Sequence, residues 1–285
     1  MPMKGISIFA KLPFLNIHPH VPFNGQRRGK LMRISSLIRC QQVAEHIGAR
    51  VNPVSDYADD VCIYVKPGFM FNDRFVENAY IDVLDDKRSI YVLSDHPKFI
   101  AIASSIMNEQ VIASLVKNKV ILIPQHHNNY ERARRVSDQI KTIGMNGNTD
   151  LMPYFPNSLK EEIFKRGIKL TSNGYIYSRQ DDVEYYKTLD LQVVWRPYAT
   201  WTGNPLKIIN AASFGIPTIA LKEPGFIDVD GFYIPVENEI EFIEILDDLI
   251  NDRSLYNHYS ERCLEMSENY HIDRIGKLYK ELQEN

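Results

Sequence analysis

Residues 194–235, V-W-R-P-Y-A-T-W-T-G-N-P-L-K-I-I-N-A-A-S-F-G-I-P-T-I-A-L-K-E-P-G-F-I-D-V-D-G-F-Y-I-P, leave the chain few folding options. Their order predicts strand, loop, helix, tight stop, strand, loop, strand. Residues 191–195 form a short apolar run with β-branched members, as a buried strand does. Thr202, Gly203 and Asn204 are loop chemistry, and Asn204 is a good N-cap. Pro205 falls at the first helical position, where its missing N–H costs nothing. Leu206, Ile209, Ala212 and Ser213 then recur at helical spacing, until Gly215 and Pro217 stop the helix. Residues 218–221 are the next buried strand.

The start of that helix can do chemistry. A helix N-terminus presents unpaired N–H groups and the positive end of the dipole, which favours phosphate. Lys207 lies in the first turn, and Asn210 one turn deeper on the same face, with a side chain suited to ribose or sugar hydroxyls. Arg196 ends the preceding strand and carries a planar donor fork. In open α/β sheets, ligands bind beyond the carboxyl ends of the strands, where both basic residues fall. Taken alone, Asn-Pro and Gly-x-Pro are also ordinary punctuation of a structural helix.

The stretch 204–235 resembles the donor half of glycosyltransferases of the GT-B fold, in particular the retaining, metal-independent group that uses nucleotide-diphosphate sugars. That group carries (E)A-x-A-x-G-x-P-x-(V/I), then a D-G strand; here stand Asn210-Ala211-Ala212-Ser213-Phe214-Gly215-Ile216-Pro217-Thr218-Ile219 and Asp230-Gly231-Phe232-Tyr233-Ile234-Pro235. The usual ribose carboxylate is Asn210, and Thr202 stands where its partner Glu would fall. Arg196, Lys207, Asn210 and Ala211 match instead a smaller branch with R…K-x-x-(K)-x-x-N-A. The resemblance covers about a third of the chain. It implies an α/β protein of the GT-B class, with two Rossmann-like domains whose parallel sheets face across a cleft.

The remaining sequence agrees with such a protein. A chain of 285 residues suits one large or two modest domains, and 44% hydrophobic with 24% charged residues is globular composition. A net charge of −3 argues against a general polyanion binder. Cys40, Cys62 and Cys263 are isolated, as in a reducing compartment, and read as small buried hydrophobes. No run approaches membrane-spanning length and no signal-peptide core is present, so a cytoplasmic protein is expected, with peripheral membrane attachment left open.

Along the first half, strands are predicted at 6–10, 60–66, 90–93, 99–103 and 120–123, with helices at 31–47, 73–84 and 105–116. This alternation predicts a parallel, doubly wound sheet. The long loop 11–29 holds His18, His20, Arg27 and Arg28, which the resemblance implies lie on the acceptor side; Arg27, Arg28, Lys30, Arg33 and Arg39 form a basic patch or a solvated helix face. Asp95 and His96, and His126 and His127, follow two predicted strands and are candidate catalytic groups; each is also an ordinary structural residue. In the second half, strands are predicted at 140–144 and 168–170 and helices at 155–166 and 181–188. Met145-Asn146-Gly147-Asn148 reads as a glycine turn, which the resemblance implies approaches the donor; Gly144 and Gly147 would allow that backbone approach. Helices at 239–250, 254–269 and 272–283 follow, and the resemblance implies that the last returns to the first domain. The expected division is 1–138, 139–270 and 271–285.

The expected activity is transfer of a hexosyl or pentosyl group from a nucleotide-sugar, UDP-linked, to an acceptor hydroxyl of a saccharide or lipid-linked glycan. Gly147, Arg196, Thr202, Gly203, Asn204, Lys207, Asn210 and Glu223 are the donor-side candidates. Arg196, Lys207 and the helix N-terminus would neutralise the leaving diphosphate, so neither metal nor cofactor is expected. Asp228-Val229-Asp230 is a D-x-D string, but its place before Gly231 reads as a turn. If the enzyme inverts configuration, Asp95, His96, His126 or His127 would supply the base. Other readings are a hydroxymethylated-DNA-base glycosyltransferase, a nucleotide-sugar epimerase and a non-catalytic nucleotide-sugar-binding protein.

Overall fold

The computed structural model describes residues 4–11, 34–67, 75–146, 154–173, 178–196 and 203–284. Two parallel sheets organise them. The first contains β1 (Ile6–Ala10), β2 (Arg50–Val51), β3 (Val61–Val65), β4 (Tyr80–Asp82), β5 (Ile100–Ala103) and β6 (Val120–Leu122), in the order β2-β1-β3-β4-β5-β6. The second contains β7 (Thr142–Asn146), β8 (Lys169–Asn173), β9 (Leu191–Val194), β10 (Thr218–Leu221) and β11 (Ile234–Val236), in the order β11-β10-β9-β7-β8. Every pairing is parallel.

Burial follows the period of two. Ile6, Ile8 and Ala10 of β1, with Val61, Ile63 and Val65 of β3, pack on one face of the first sheet; Phe9, Cys62 and Tyr64 pack on the other. A continuous helical segment covers the first of these faces: α1 (Ile34–Ser36), a π-turn (Leu37–Gln42) and α2 (Val43–Ile47). It ends at Gly48, whose φ of 76° is the left-handed stop expected of that glycine. The last helix, α10 (Ile272–Glu281), lies beside α2 and sends Ile272, Ile275 and Tyr279 into the same core. It packs closely because position 276 is glycine: a Cβ there would approach the His46 ring to 2.8 Å and Ile47 to 3.0 Å.

Two expectations are corrected. Residues 90–93 belong not to a strand but to α3 (Arg88–Asp95). Ser89, Val92 and Leu93 are buried while Tyr91 is 67% exposed, a helical face that a short apolar run does not reveal. The segment expected as a helix at 73–84 carries β4, three buried residues in mid-sheet. The helix expected at 105–116 is α4 (Ile106–Leu115), capped by Ser105, whose side chain accepts from Asn108 N–H. The second sheet is flanked by α5 (Asn157–Lys165), α6 (Arg179–Tyr186), α7 (Leu206–Ser213), α8 (Glu239–Asn251) and α9 (Arg253–Ser267). Among the described residues no helix is long and apolar enough to cross a membrane.

Candidate functional site

Chain order and sheet order disagree at one place in each sheet. From β7 the chain steps out to β8, then crosses back to β9 on the other side of β7. A crevice opens at such a switch point, beyond the carboxyl ends of the strands. Asn146 ends β7 and Arg196 lies two residues past β9, so both stand at that crevice.

α7 begins at its rim. Asn204 Oδ1 accepts the Leu206 N–H at 2.8 Å, while its amide donates to Gln125 Oε1 of the first half and to Ser104 Oγ at 3.4 Å. Gly203 and Gly225 touch backbone to backbone; a Cβ on either would overlap the other's Cα. Lys207 is half-buried, and among the described residues its ammonium has no hydrogen-bond or ion-pair partner. Burial, then the nearby Arg196 charge, lowers its pKa to about 8, with Glu223 opposing. Arg196 is paired through Nη2 with Glu223 Oε1 and lies 5.3 Å from the Phe226 ring centroid; its buried Nε lacks a partner among the described residues. Burial raises the Glu223 pKa against the pull of Arg196.

Between the halves lies a cavity of about 160 Å³. Its walls are two helix faces and a roof. Arg179, Asp182 and Tyr186 share one stripe of α6; Leu206, Lys207 and Asn210 come from α7; Leu37, Ile38 and Gln42 come from the π-turn of the first half. His126, Asn128 and Asn146 complete the lining. Asp182 is 5% exposed and accepts from Asn146 Nδ2 at 2.8 Å and from Asn128 Nδ2. Burial raises its pKa to about 6, against those two amides. Asn210 Oδ1 accepts the Asn128 N–H at 3.1 Å.

The candidate catalytic residues do not converge. Because 88–95 is helical, exposed Asp95 and half-buried His96 precede β5 instead of following a strand, and lie at the opposite sheet edge from the crevice; His96 stacks on Phe99 with centroids 4.4 Å apart. His126 lines the cavity, but its ring nitrogens lie 3.0 and 3.1 Å from the carbonyls of His127 and Ile38, and burial lowers its pKa to about 4. His127 faces a different pocket, beside Arg132 and Glu268, with its ring centroid 5.3 Å from that of His271. Asp228 gives both oxygens to the Ile106 N–H, at 3.0 and 3.2 Å, which makes it a cap of α4. Among the described residues no three His, Cys, Asp or Glu side chains are grouped to hold a metal ion. His18, His20, Arg27, Arg28, Gly147 and Thr202 lie outside the described residues.

Sequence reasoning missed Asp182, Asn128 and Asn146 as a unit. The signal was present in part: Asn146 lies in the turn expected just past the strand at 140–144, and Asn128 lies in the Pro124–Gln125–His126–His127–Asn128–Asn129 run past another. Only the packing of α6 against both brings Asp182 to them.

No family model matches the chain. A Haemophilus influenzae protein described as an uncharacterized glycosyltransferase is 33% identical over 108 residues, 36% of this chain and 30% of that protein. Among solved structures, TarM is similar with a TM-score of 0.57 and 15% identity, over 80% of this chain and 55% of TarM. Anabaena HepE, in complex with UDP and glucose, has a TM-score of 0.52 and 12% identity, over 78% of this chain and 71% of HepE. The chain therefore spans about half of TarM and matches under a third of the curated relative. With two parallel sheets, a switch point in each and a crevice between them, the chain has the GT-B fold.

Proposed function

We propose that this protein is a glycosyltransferase that takes a sugar from a nucleotide-diphosphate sugar and passes it to an acceptor hydroxyl. The observation that carries this is the anion-seeking group at α7: Lys207, which makes no ion pair among the described residues and whose charge Glu223 offsets only in part, beside Arg196, at a helix N-terminus on the switch point. A diphosphate is the ligand that such a group suits. As the bond to the sugar breaks, negative charge grows on the departing phosphate oxygen. The Lys207 ammonium and the α7 N–H groups would stabilise it without reorganising. In this reading no metal ion or cofactor takes part, and the first half, with its π-turn over the cavity, supplies the acceptor side.

UDP is the first nucleotide to test, because HepE was solved with UDP and glucose. At 100 times its dissociation constant a ligand stabilises a fold by about 2.7 kcal/mol, a readily measured thermal shift. UDP or UDP-glucose is expected to shift the melting temperature equally with and without EDTA. Lys207→Ala is expected to weaken binding roughly 10- to 100-fold, the worth of a charged hydrogen bond. UDP release that requires an added saccharide or lipid-linked acceptor supports transfer; release without one points to an epimerase or hydrolase. Binding that is unchanged in Lys207→Ala would sink the proposal.

A further inference from the structure

Two unlike sets of groups line the cavity. Lys207 takes negative charge. The groups around Asp182 are rich in acceptors. Asp182 has no lysine or arginine ion-pair partner among the described residues, and its flanking amides are its recorded hydrogen-bond donors. The amide oxygens of Asn128 and Asn146, on side chains each 8% exposed, have no hydrogen-bond partner among the described residues. Buried acceptors left without donors are costly, and native proteins rarely keep them unless a water or ligand fills the need. Both asparagines turn their NH2 groups toward Asp182. A bound cation would meet those amide hydrogens, so the wall suits neutral hydroxyl donors better than a metal. After accepting one amide each, the two carboxylate oxygens keep further lone pairs, one for each hydroxyl of an adjacent pair.

We propose that Asp182, oriented by Asn128 and Asn146, binds a vicinal pair of hydroxyls on a sugar ring whose anionic group lies at Lys207. This inference rests on the nucleotide-sugar reading above and gives the ligand its direction in the cavity. It also supplies, from α6, a carboxylate to a site where α7 offers only Asn210, whose Oδ1 is already committed to the Asn128 N–H. The ring is either the ribose of the nucleotide or the sugar being transferred.

Calorimetric titration of wild type and Asp182→Asn separates these. The probes are inorganic pyrophosphate, UDP, 2′,3′-dideoxy-UDP and UDP-glucose. The exchange is nearly isosteric, and an amide flip of Asn128 turns its unpartnered oxygen toward the new NH2, so the fold is expected to persist. Asn128→Ala, which keeps the carboxylate but removes one support, serves as a second variant and is expected to show a smaller loss in the same pattern. Asp182→Asn is expected to bind pyrophosphate as wild type does and to bind the hydroxyl-bearing probe at least about ten-fold more weakly. If ribose is the ring, wild type prefers UDP to its dideoxy analogue and the variant does not. If the transferred sugar is the ring, the gain of UDP-glucose over UDP disappears in the variant. Unchanged binding of all probes, or equal weakening of pyrophosphate, would overturn the hydroxyl site while leaving the donor reading intact. A wild type that binds neither pyrophosphate nor UDP nor UDP-glucose would remove both.

Discussion

Lys207 and Asp182 pay opposite electrostatic costs in one cavity, and pH separates them. The Lys207 pKa is lowered from 10.5 to about 8, so between those values the unfolded chain holds more protons than the folded one. Stability then rises with pH across that window. Lys207→Met is expected to raise the melting temperature at pH 7 and to do so less at pH 10, measured by calorimetry. Diphosphate affinity should run the other way, falling as pH passes about 8 in wild type and staying flat to higher pH in Lys207→Arg. For Asp182 the pKa is raised from 3.8 to about 6, so the folded state holds more protons between them and stability falls as pH rises through that window. Asp182→Asn is expected to be at least as stable as wild type at pH 7, with the difference gone near pH 4. A stable variant that has lost ligand affinity distinguishes a binding role from a structural one.

At the scale of elements, the entry to α7 is set by the Gly203–Gly225 contact, which joins the loop before the helix to the turn Pro224–Val229 after β10. Gly225→Ala forces the two apart and is expected to destabilise by about 1–3 kcal/mol, as overpacking does. It should also weaken UDP binding, because the α7 N–H groups shift. In the first half, Arg39 of the π-turn is wholly buried, donates to Asp82 at 2.6 Å and reaches the carbonyls of Ile123 and Pro124, both at 2.8 Å. Arg39→Met leaves the Asp82 charge stranded and is expected to cost about 3–5 kcal/mol in denaturant unfolding; Arg39→Met with Asp82→Leu should recover most of it. Periodicity revealed most elements, including α7 to within a residue of its ends. It failed at α3 and β4, where short apolar runs fit either period and the neighbouring strands decided.

Across the whole molecule, the halves are tied where they face one another. Ser105 Oγ donates to Gly203 O at 2.7 Å, Asp228 caps α4, Asn204 reaches Gln125, and Asn128 bonds to Asp182 and Asn210. These contacts join the two halves around the cavity. Asp228→Ala is expected to lose a cap worth about 1 kcal/mol and to increase the radius of gyration in small-angle scattering, with UDP-glucose reversing the increase. An unchanged radius would mean that the remaining ties suffice.

The sequence by itself determined the alternation of strands and helices, hence a parallel sheet, and it marked Lys207 and Asn210 at the start of one helix and Arg196 at the end of the strand before it. Those features are local: apolar period, caps, Gly and Pro stops act within one or two turns of chain. Tertiary structure decided which polar residues share a cavity. It carried Asp95 and His96 to the far edge of the sheet and fixed His126 on backbone carbonyls. It brought Asn128, Asn146 and Asp182, separated by 18 and 36 residues, into one hydrogen-bonded group. No local pattern encodes such a meeting, because it depends on the order of strands in the sheet and on how one half packs against the other.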